Sequence, residues 1–258
     1  SNVLGVEPTK GPAEAAIKNG IKTKIDFFSD DVAVNITNEQ GQFDLILSNN
    51  MLAHTPDLMS VLKGVRRCLK DGGKFIIEIQ YALNMFAHGK FDTVYHEHYC
   101  YYTLNSALNV FENNGLHIFD AETLQTHGGS IRLFASRQNI NKTERMRRLL
   151  DEECHQLSHG NVYLDLFSKA ENSKTNFLNY VKENGPLVGY GAPTKGNVFL
   201  NYCGLTHKDI KFTCDLSPLK QKRYCPGSGI PIHPVDKKLY TDAKEILILP
   251  WNIKTEVI

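Results

Sequence analysis

The sequence predicts an α/β fold built in two parts, and three observations carry that expectation. Short apolar runs alternate with helical stripes through the first half of the chain. A strand, a glycine-rich loop and a helix begin afresh near Pro186, and a long polar helical stretch lies between the two regions.

Taken in order, "NVLGVEP" is a short apolar run ending at Glu7 and Pro8, followed by a helical pattern from Ala13 to Asn19 that stops at Gly20. "TKIDFF" is a second short strand, and "FDLILSNN" a third, apolar from Leu45 to Leu47 before it turns polar. Continuous apolar strands suit a parallel sheet covered on both faces. From Pro56 to Lys70 the apolar positions Leu58, Met59, Val61, Leu62, Val65 and Leu69 form a helical stripe, which Gly72 and Gly73 end before the strand "KFIIEIQY". Ser106 to Asn114 is a further helix, and "LHIFDAETL" with "SIRLFASR" is an antiparallel pair around "THGG". A mostly parallel sheet closed by a hairpin is the outline of a class I methyltransferase (Rossmann-like) domain. After Asn139 a polar helical region runs from Lys142 to about Glu183, with Gly160 as a break. The second, smaller Rossmann-like unit follows with "PLVGYGAPTKGNVFLNYCGL", "IKFTCDLSP" and "EILILPW".

Composition narrows the function. A chain of 258 residues with 41% apolar and 22% charged residues carries enough material for one large core or two smaller ones. Its net charge of +1, with acids and bases mixed, gives no electrostatic reason to expect nucleic acid or an anionic membrane as partner. No apolar run approaches the roughly 18 residues of a membrane span, and the N-terminus does not resemble a signal peptide. A cytoplasmic protein with a small-molecule partner is expected, its oligomeric state open and a monomer allowed. The six cysteines form no CxxC or other close pair, so no metal site is expected in this chain.

Two stretches are candidates for chemistry. Gly189, Gly191 and Gly196 spell GxGxxxxG, two residues longer than the dinucleotide fingerprint. Three readings stand: a strand-to-helix turn that needs glycine for packing, a nicotinamide site with Asp215 on the ribose, or a phosphate site at the helix start with Lys195 as counter-charge. The other stretch is "FDTVYHEHYCYYTLNSALNVF", which crowds Tyr95, His96, Glu97, His98, Tyr99, Tyr101 and Tyr102 together. As a strand it would place His96 and His98 on one face, with His88 or His54 completing a metal site. Packed tyrosines with exposed histidines are the plain structural alternative. An acid–base site accounts better for a glutamate set between two histidines, because a carboxylate orients an imidazole and raises its basicity.

The motifs "GVEP", "DFF", "SNNMLAHTPDL", "FDTVYHEHYCYYTL", "THGGSIRLF", "GYGAPTKGN" and "LPWNIKTE" together resemble the SAM-dependent C-methyltransferases of nucleotide-activated deoxysugars, which methylate C3 of dTDP-4-keto sugars. The resemblance covers nearly the whole chain. It implies that Glu7, followed by Pro8, binds the ribose of S-adenosylmethionine (SAM), that Asp26, Phe27 and Phe28 lie by its adenine, and that Asn49 and Asn50 line its methionine end. It further implies His98 as general base, with Tyr95 and Glu97 beside it, and places His54 at the active site. Tyr95 or protonated His54 would serve the developing oxyanion, and Glu97 would orient an imidazole. A carbon beside a ketone needs such a base before it can take a methyl group.

The family begins with a cysteine-rich zinc module and a first strand with a glycine-rich SAM loop. This sequence shows neither, so it is expected to be N-terminally truncated, with zinc confined to the absent module. The expected domains are a partial SAM-dependent methyltransferase domain over 1–138, and a helical spacer with a C-terminal Rossmann-like substrate-binding domain over 139–258. In the latter, Gly189, Gly191, Lys195 and Asn197 would bind the nucleotide sugar. O- or N-methylation on the same scaffold, non-catalytic nucleotide-sugar binding and NAD-dependent oxidoreduction remain the alternatives.

Overall fold

The computed structural model describes residues 3–158 and 160–257. In chain order these are β1 (Gly5–Val6), α1 (Lys10–Lys18), β2 (Thr23–Lys24), α2 (Asp30–Gln40), β3 (Phe43–Asn49), α3 (Leu58–Cys68), β4 (Leu69–Gln80), α4 (Ala82–His88), α5 (Leu104–Glu112), β5 (His117–Leu124), β6 (Ser130–Ser136), α6 (Glu144–Ser158), α7 (Val162–Asn184), β7 (Leu187–Tyr190), α8 (Thr194–Cys203), β8 (Ile210–Cys214), β9 (Arg223–Tyr224), β10 (Pro231–His233), β11 (Ile246–Ile248) and α9 (Lys254–Val257). They group into two compact units. The first comprises residues 1–81, 99–125 and 129–158, and the second residues 82–98, 126–128 and 159–258.

In the first unit a four-stranded sheet runs in the order β3-β4-β6-β5, and β1 with β2 forms a separate parallel pair. β3 and β4 are parallel, with Ile46 opposite Phe75 and Asn49 opposite Glu78, whereas β6 is antiparallel to both β4 and β5. The hairpin expected around "THGG" is therefore present. Val32, Ala33 and Ile36 of α2 pack with Cys68 of α3 against Val6, Phe28 and Ile46, which ties the small strand pair to the main sheet. The side chain of Ser29 starts α2 by accepting the Val32 amide at 3.2 Å. One expectation is corrected. β3 is not covered on both faces, for Leu45 and Leu47 are 49% and 64% exposed. The strand sits at the sheet edge and pairs only with β4, so its apolar run has no second neighbouring strand among the described residues.

The second unit holds a five-stranded sheet in the order β11-β7-β8-β10-β9, parallel except for β9. Its core is built from Leu187, Leu200, Ile210, Ile232 and Leu249, with Val181 and Phe177 of α7 packed against it. The polar helical region divides at Gly160 into α6, in the first unit, and α7, in the second. Asn161 caps α7, its Oδ1 accepting the amides of Tyr163 and Leu164, both at 3.2 Å.

Candidate active site

In the first unit, the residues expected to hold a cofactor lie at the carboxyl ends of parallel strands, the edge at which open α/β sheets bind ligands. Glu7 follows β1 half-buried, and its Oε1 accepts the Thr9 amide at 2.7 Å. This bond holds the carboxylate at the strand end beside the exposed Pro8. After β2, Asp26 accepts the Phe27 amide at 2.9 Å, and the Phe27 ring is 76% exposed. Asn49 ends β3, and Asn50 follows with a left-handed φ of 54°, its amide donating to the Glu78 carbonyl at 2.8 Å. A carboxylate for a ribose diol, an open aromatic face for adenine and two amides for an amino-acid end fit SAM in chemical type. His54 closes the short 3₁₀ turn Leu52–His54 after this strand and is exposed. The preceding residue, Ala53, accepts the amide of Tyr99 at 2.7 Å.

Of the histidine-rich stretch, residues 91–98, with His96 and His98, lie in the second unit, while the part from Tyr99 onward belongs to the first. Residues 95–98 form a turn, closed by the His98 amide on the Tyr95 carbonyl at 3.0 Å, rather than the strand that a His96–His98 metal face would require. His96 and Glu97 occupy the exposed centre of that turn. The His98 ring lies 4.1 Å from the Tyr95 ring, centroid to centroid, and its Nδ1 is 2.8 Å from the carbonyl oxygen of Thr93. A carbonyl only accepts, so Nδ1 carries the proton and Nε2 the lone pair of the neutral imidazole. The backbone at Thr93 thus sets the tautomer.

Thr93 belongs to a 3₁₀ turn, Phe91–Thr93, that is itself anchored. The Phe91 ring packs against Tyr202 and Phe199 of α8 at 4.8 and 6.3 Å. Asp92, only 7% exposed, accepts the indole Nε1–H of Trp251 at 2.6 Å. Lys195 Nζ stands 5.0 Å from the Trp251 ring centroid and Lys90 Nζ 5.8 Å, both within cation–π range. Lys90 also donates to the Gly128 carbonyl. Gly128 has φ +83°, and a Cβ there would meet Trp251 at 2.7 Å, so the "THGG" motif leaves room for the indole. Burial pushes the Lys195 ammonium below its usual range, with Asp92 opposing. Burial does the same to Lys90, again opposed by Asp92 and reinforced by the charge of Lys195.

The glycine loop of the second unit is packed against protein. A Cβ on Gly191, at φ +82°, would meet Pro250 at 2.5 Å, one on Gly189 would meet Thr213 at 3.0 Å, and one on Gly196 would meet Leu249 at 2.9 Å. Asp215 points back into the loop, its Oδ2 accepting the Ala192 amide and its Oδ1 the Ser217 amide, both at 2.8 Å. Although burial opposes it, these bonds and Lys220 hold the Asp215 carboxyl below its ordinary value. Asn197, in the first turn of α8, donates to the Pro193 carbonyl at 3.3 Å, while its Oδ1 is buried with no hydrogen-bond partner among the described residues. Among the sequence candidates, Tyr95 and His98 are thus brought into contact. Lys90, Asp92, Gly128 and Trp251 were not singled out by sequence reasoning, although the quoted motifs contain three of the four.

The fold is a two-part α/β arrangement, and both parts match methyltransferase family models. A methyltransferase domain model matches residues 2–120, and a C-methyltransferase C-terminal domain model matches residues 125–258. The chain belongs to the C-methyltransferase family, and the methyl donor of that family is SAM. A curated relative, C-methyltransferase NovU from Streptomyces niveus, is 32% identical over 263 aligned positions, spanning 99% of this chain and 63% of the relative. The chain therefore covers less than two thirds of that relative's length. Solved structures with some likeness include a possible histamine N-methyltransferase from Thermotoga maritima (18% identity, 53% of this chain and 73% of that one, TM-score 0.40). Another is magnesium protoporphyrin IX methyltransferase from Synechocystis with bound SAH (12% identity, 54% and 65%, TM-score 0.41). Among the described residues, no helix is long and apolar enough to cross a membrane.

Proposed function

We propose that the protein containing this chain is a SAM-dependent C-methyltransferase acting on C3 of a nucleotide-linked 4-keto deoxysugar through an enolate. The observation that best supports this is the imidazole of His98, whose Nδ1–H is tied to the Thr93 carbonyl so that Nε2 is the basic nitrogen. An O- or N-methyltransferase has no need of a carbon-acid base. Family membership and the 32% identity to a C-methyltransferase favour the same reading.

Each residue then has a part. His98 Nε2 takes the proton from C3, and the Tyr95 hydroxyl donates toward the oxygen on which charge develops. Glu97 sits at the turn beside them. Glu7, Asp26, Phe27, Asn49 and Asn50 would hold SAM, with Pro8 shaping the strand end. When bound, SAM supplies an electrophilic methyl group on a positively charged sulfur. Lys195 and the first turn of α8 would hold the nucleotide diphosphate, and the buried Asn197 Oδ1 would accept a donor from the same ligand. Gly189 and Gly191 shape that loop by admitting Thr213 and Pro250.

The test is exchange at C3. In deuterium oxide without methyl transfer, the protein should replace the C3 hydrogen of a dTDP-4-keto sugar with deuterium, and His98→Gln should abolish the exchange. Methyl transfer to oxygen or nitrogen without any exchange would overturn the reading.

A further inference from the structure

Trp251, the single tryptophan of the chain, is held at one edge by a buried carboxylate and faced by two ammonium groups. Fully ionised, Lys90, Lys195 and Asp92 leave one positive charge in excess, inside a region that withholds water from all three. Asp92 does not neutralise either lysine by a direct ion pair. Its Oδ2 is given to the indole N–H, and Lys90 donates to the Gly128 carbonyl. Two partly dehydrated ammonium groups sharing one aromatic ring, with one indirect counter-charge between them, are short of negative charge. Both Nζ atoms face the same ring, at 5.8 and 5.0 Å from its centroid, so an anion with two linked charged groups can reach both ammonium groups at once, whereas an anion with a single charged group reaches one of them.

We infer that Lys90 joins Lys195 on Trp251 as a clamp for a diphosphate, and that Asp92 is its positioning residue, fixing the indole to which both ammonium groups are applied. This rests on the reading of Lys195 and α8 as the diphosphate site. It extends that site to Lys90 and Asp92, from one stretch of the second unit, and to Trp251, from another. Gly128 completes the geometry, because any side chain there would displace the indole.

The experiment is calorimetric titration with inorganic pyrophosphate and with thymidine diphosphate, following tryptophan fluorescence in parallel with Trp251→Phe as the reporter control. Both ligands should bind and change the Trp251 emission. Lys90→Met and Lys195→Met should each weaken pyrophosphate by roughly ten- to a hundredfold, the loss of one charge-assisted hydrogen bond. Asp92→Asn keeps an acceptor for the indole and should retain or improve affinity, whereas Asp92→Leu should lose both affinity and the emission change. If Asp92 acted only as a nearby negative charge, both substitutions would tighten binding. Should Lys90→Met bind pyrophosphate as the native protein does, the clamp is wrong, and a continued dependence of thymidine diphosphate on Lys195 would leave the wider reading standing. Thymidine diphosphate binding that ignores Lys195 as well would remove both.

Discussion

The indole nitrogen of Trp251 donates to Oδ2 of Asp92 at 2.6 Å, joining side chains 159 positions apart. The same 3₁₀ turn that carries Asp92 offers the Thr93 carbonyl to His98, so one short turn fixes both the candidate base and the ring beneath two lysines. Displacing the turn would disturb both at once.

Burial raises the Asp92 carboxyl above its ordinary value of 3.8, against the Trp251 hydrogen bond and the charges of Lys195 and Lys90. A carboxyl raised on folding binds its proton more tightly in the folded state than in the unfolded one. Its ionisation therefore costs stability as pH rises from 3.8 through the raised value, and the cost is complete above that value. Asp92→Asn should gain stability relative to the native protein over that window, measured by urea unfolding at several pH values. A relative loss with rising pH would mean that the lysines hold the carboxylate ionised.

Glu153 is a buried acid that joins three segments of the first unit. It is wholly buried, accepts the amides of Leu104 and Asn105 at 2.6 and 2.8 Å, and accepts the Tyr81 hydroxyl at 2.8 Å. It thereby caps α5 from another helix, where a negative charge also suits the helix dipole. Glu153→Ala should cost roughly 3 kcal/mol, since it orphans the buried Leu104 amide and the buried Tyr81 phenol and removes the acceptor of the Asn105 amide. Glu153→Gln, which keeps one acceptor, should cost less. A urea-unfolding loss below about 1 kcal/mol for the alanine variant would show the cap to be redundant.

That contact also shows what the sequence could convey. The alternation of strands and helices, the hairpin around "THGG" and the break at Gly160 were legible because local pattern fixes them. α2 was not, since "DDVAVNITNEQ" is rich in β-branched residues, and its helix depends on the Ser29 cap and on packing against Cys68. The edge position of β3 was hidden by its continuous apolar run. Nothing in the polar helical region marks Glu153 as buried, and no local signal pairs Asp92 with Trp251. Tyr95 and His98 could be named from their motif, but the tautomer of His98 depends on a backbone carbonyl that only the folded turn presents.

Glu7 should matter to the cofactor alone. Its Oε1 is already held by the Thr9 amide, which fixes the carboxylate at the end of β1, where the proposed reading puts the ribose. Glu7→Ala should weaken SAM by about 1.5–3 kcal/mol, the range for a hydrogen bond to a charged group. Calorimetry with the full-length protein measures this directly. Unchanged SAM affinity would reduce Glu7 to a local turn former that ends β1.

His98 and His96 provide the sharpest contrast, because they are two residues apart in one turn yet differently placed. His98 packs on Tyr95 with Nδ1 tied to the backbone, while His96 lies at the exposed centre of the turn. A base held in one tautomer loses less orientation before proton transfer, and general base catalysis typically contributes about 10²–10⁴-fold. His98→Gln should therefore lower kcat for methyl transfer by about that factor while SAM affinity stays within about twofold of native, because the glutamine replaces the ring without a basic nitrogen. His96→Ala should leave kcat within about threefold, as expected for a side chain outside the reacting centre. Steady-state rates and SAM calorimetry on the two variants decide the matter. If His96→Ala proves the damaging change, the base has been assigned to the wrong histidine of the turn, and if both variants turn over normally, proton abstraction belongs to another residue.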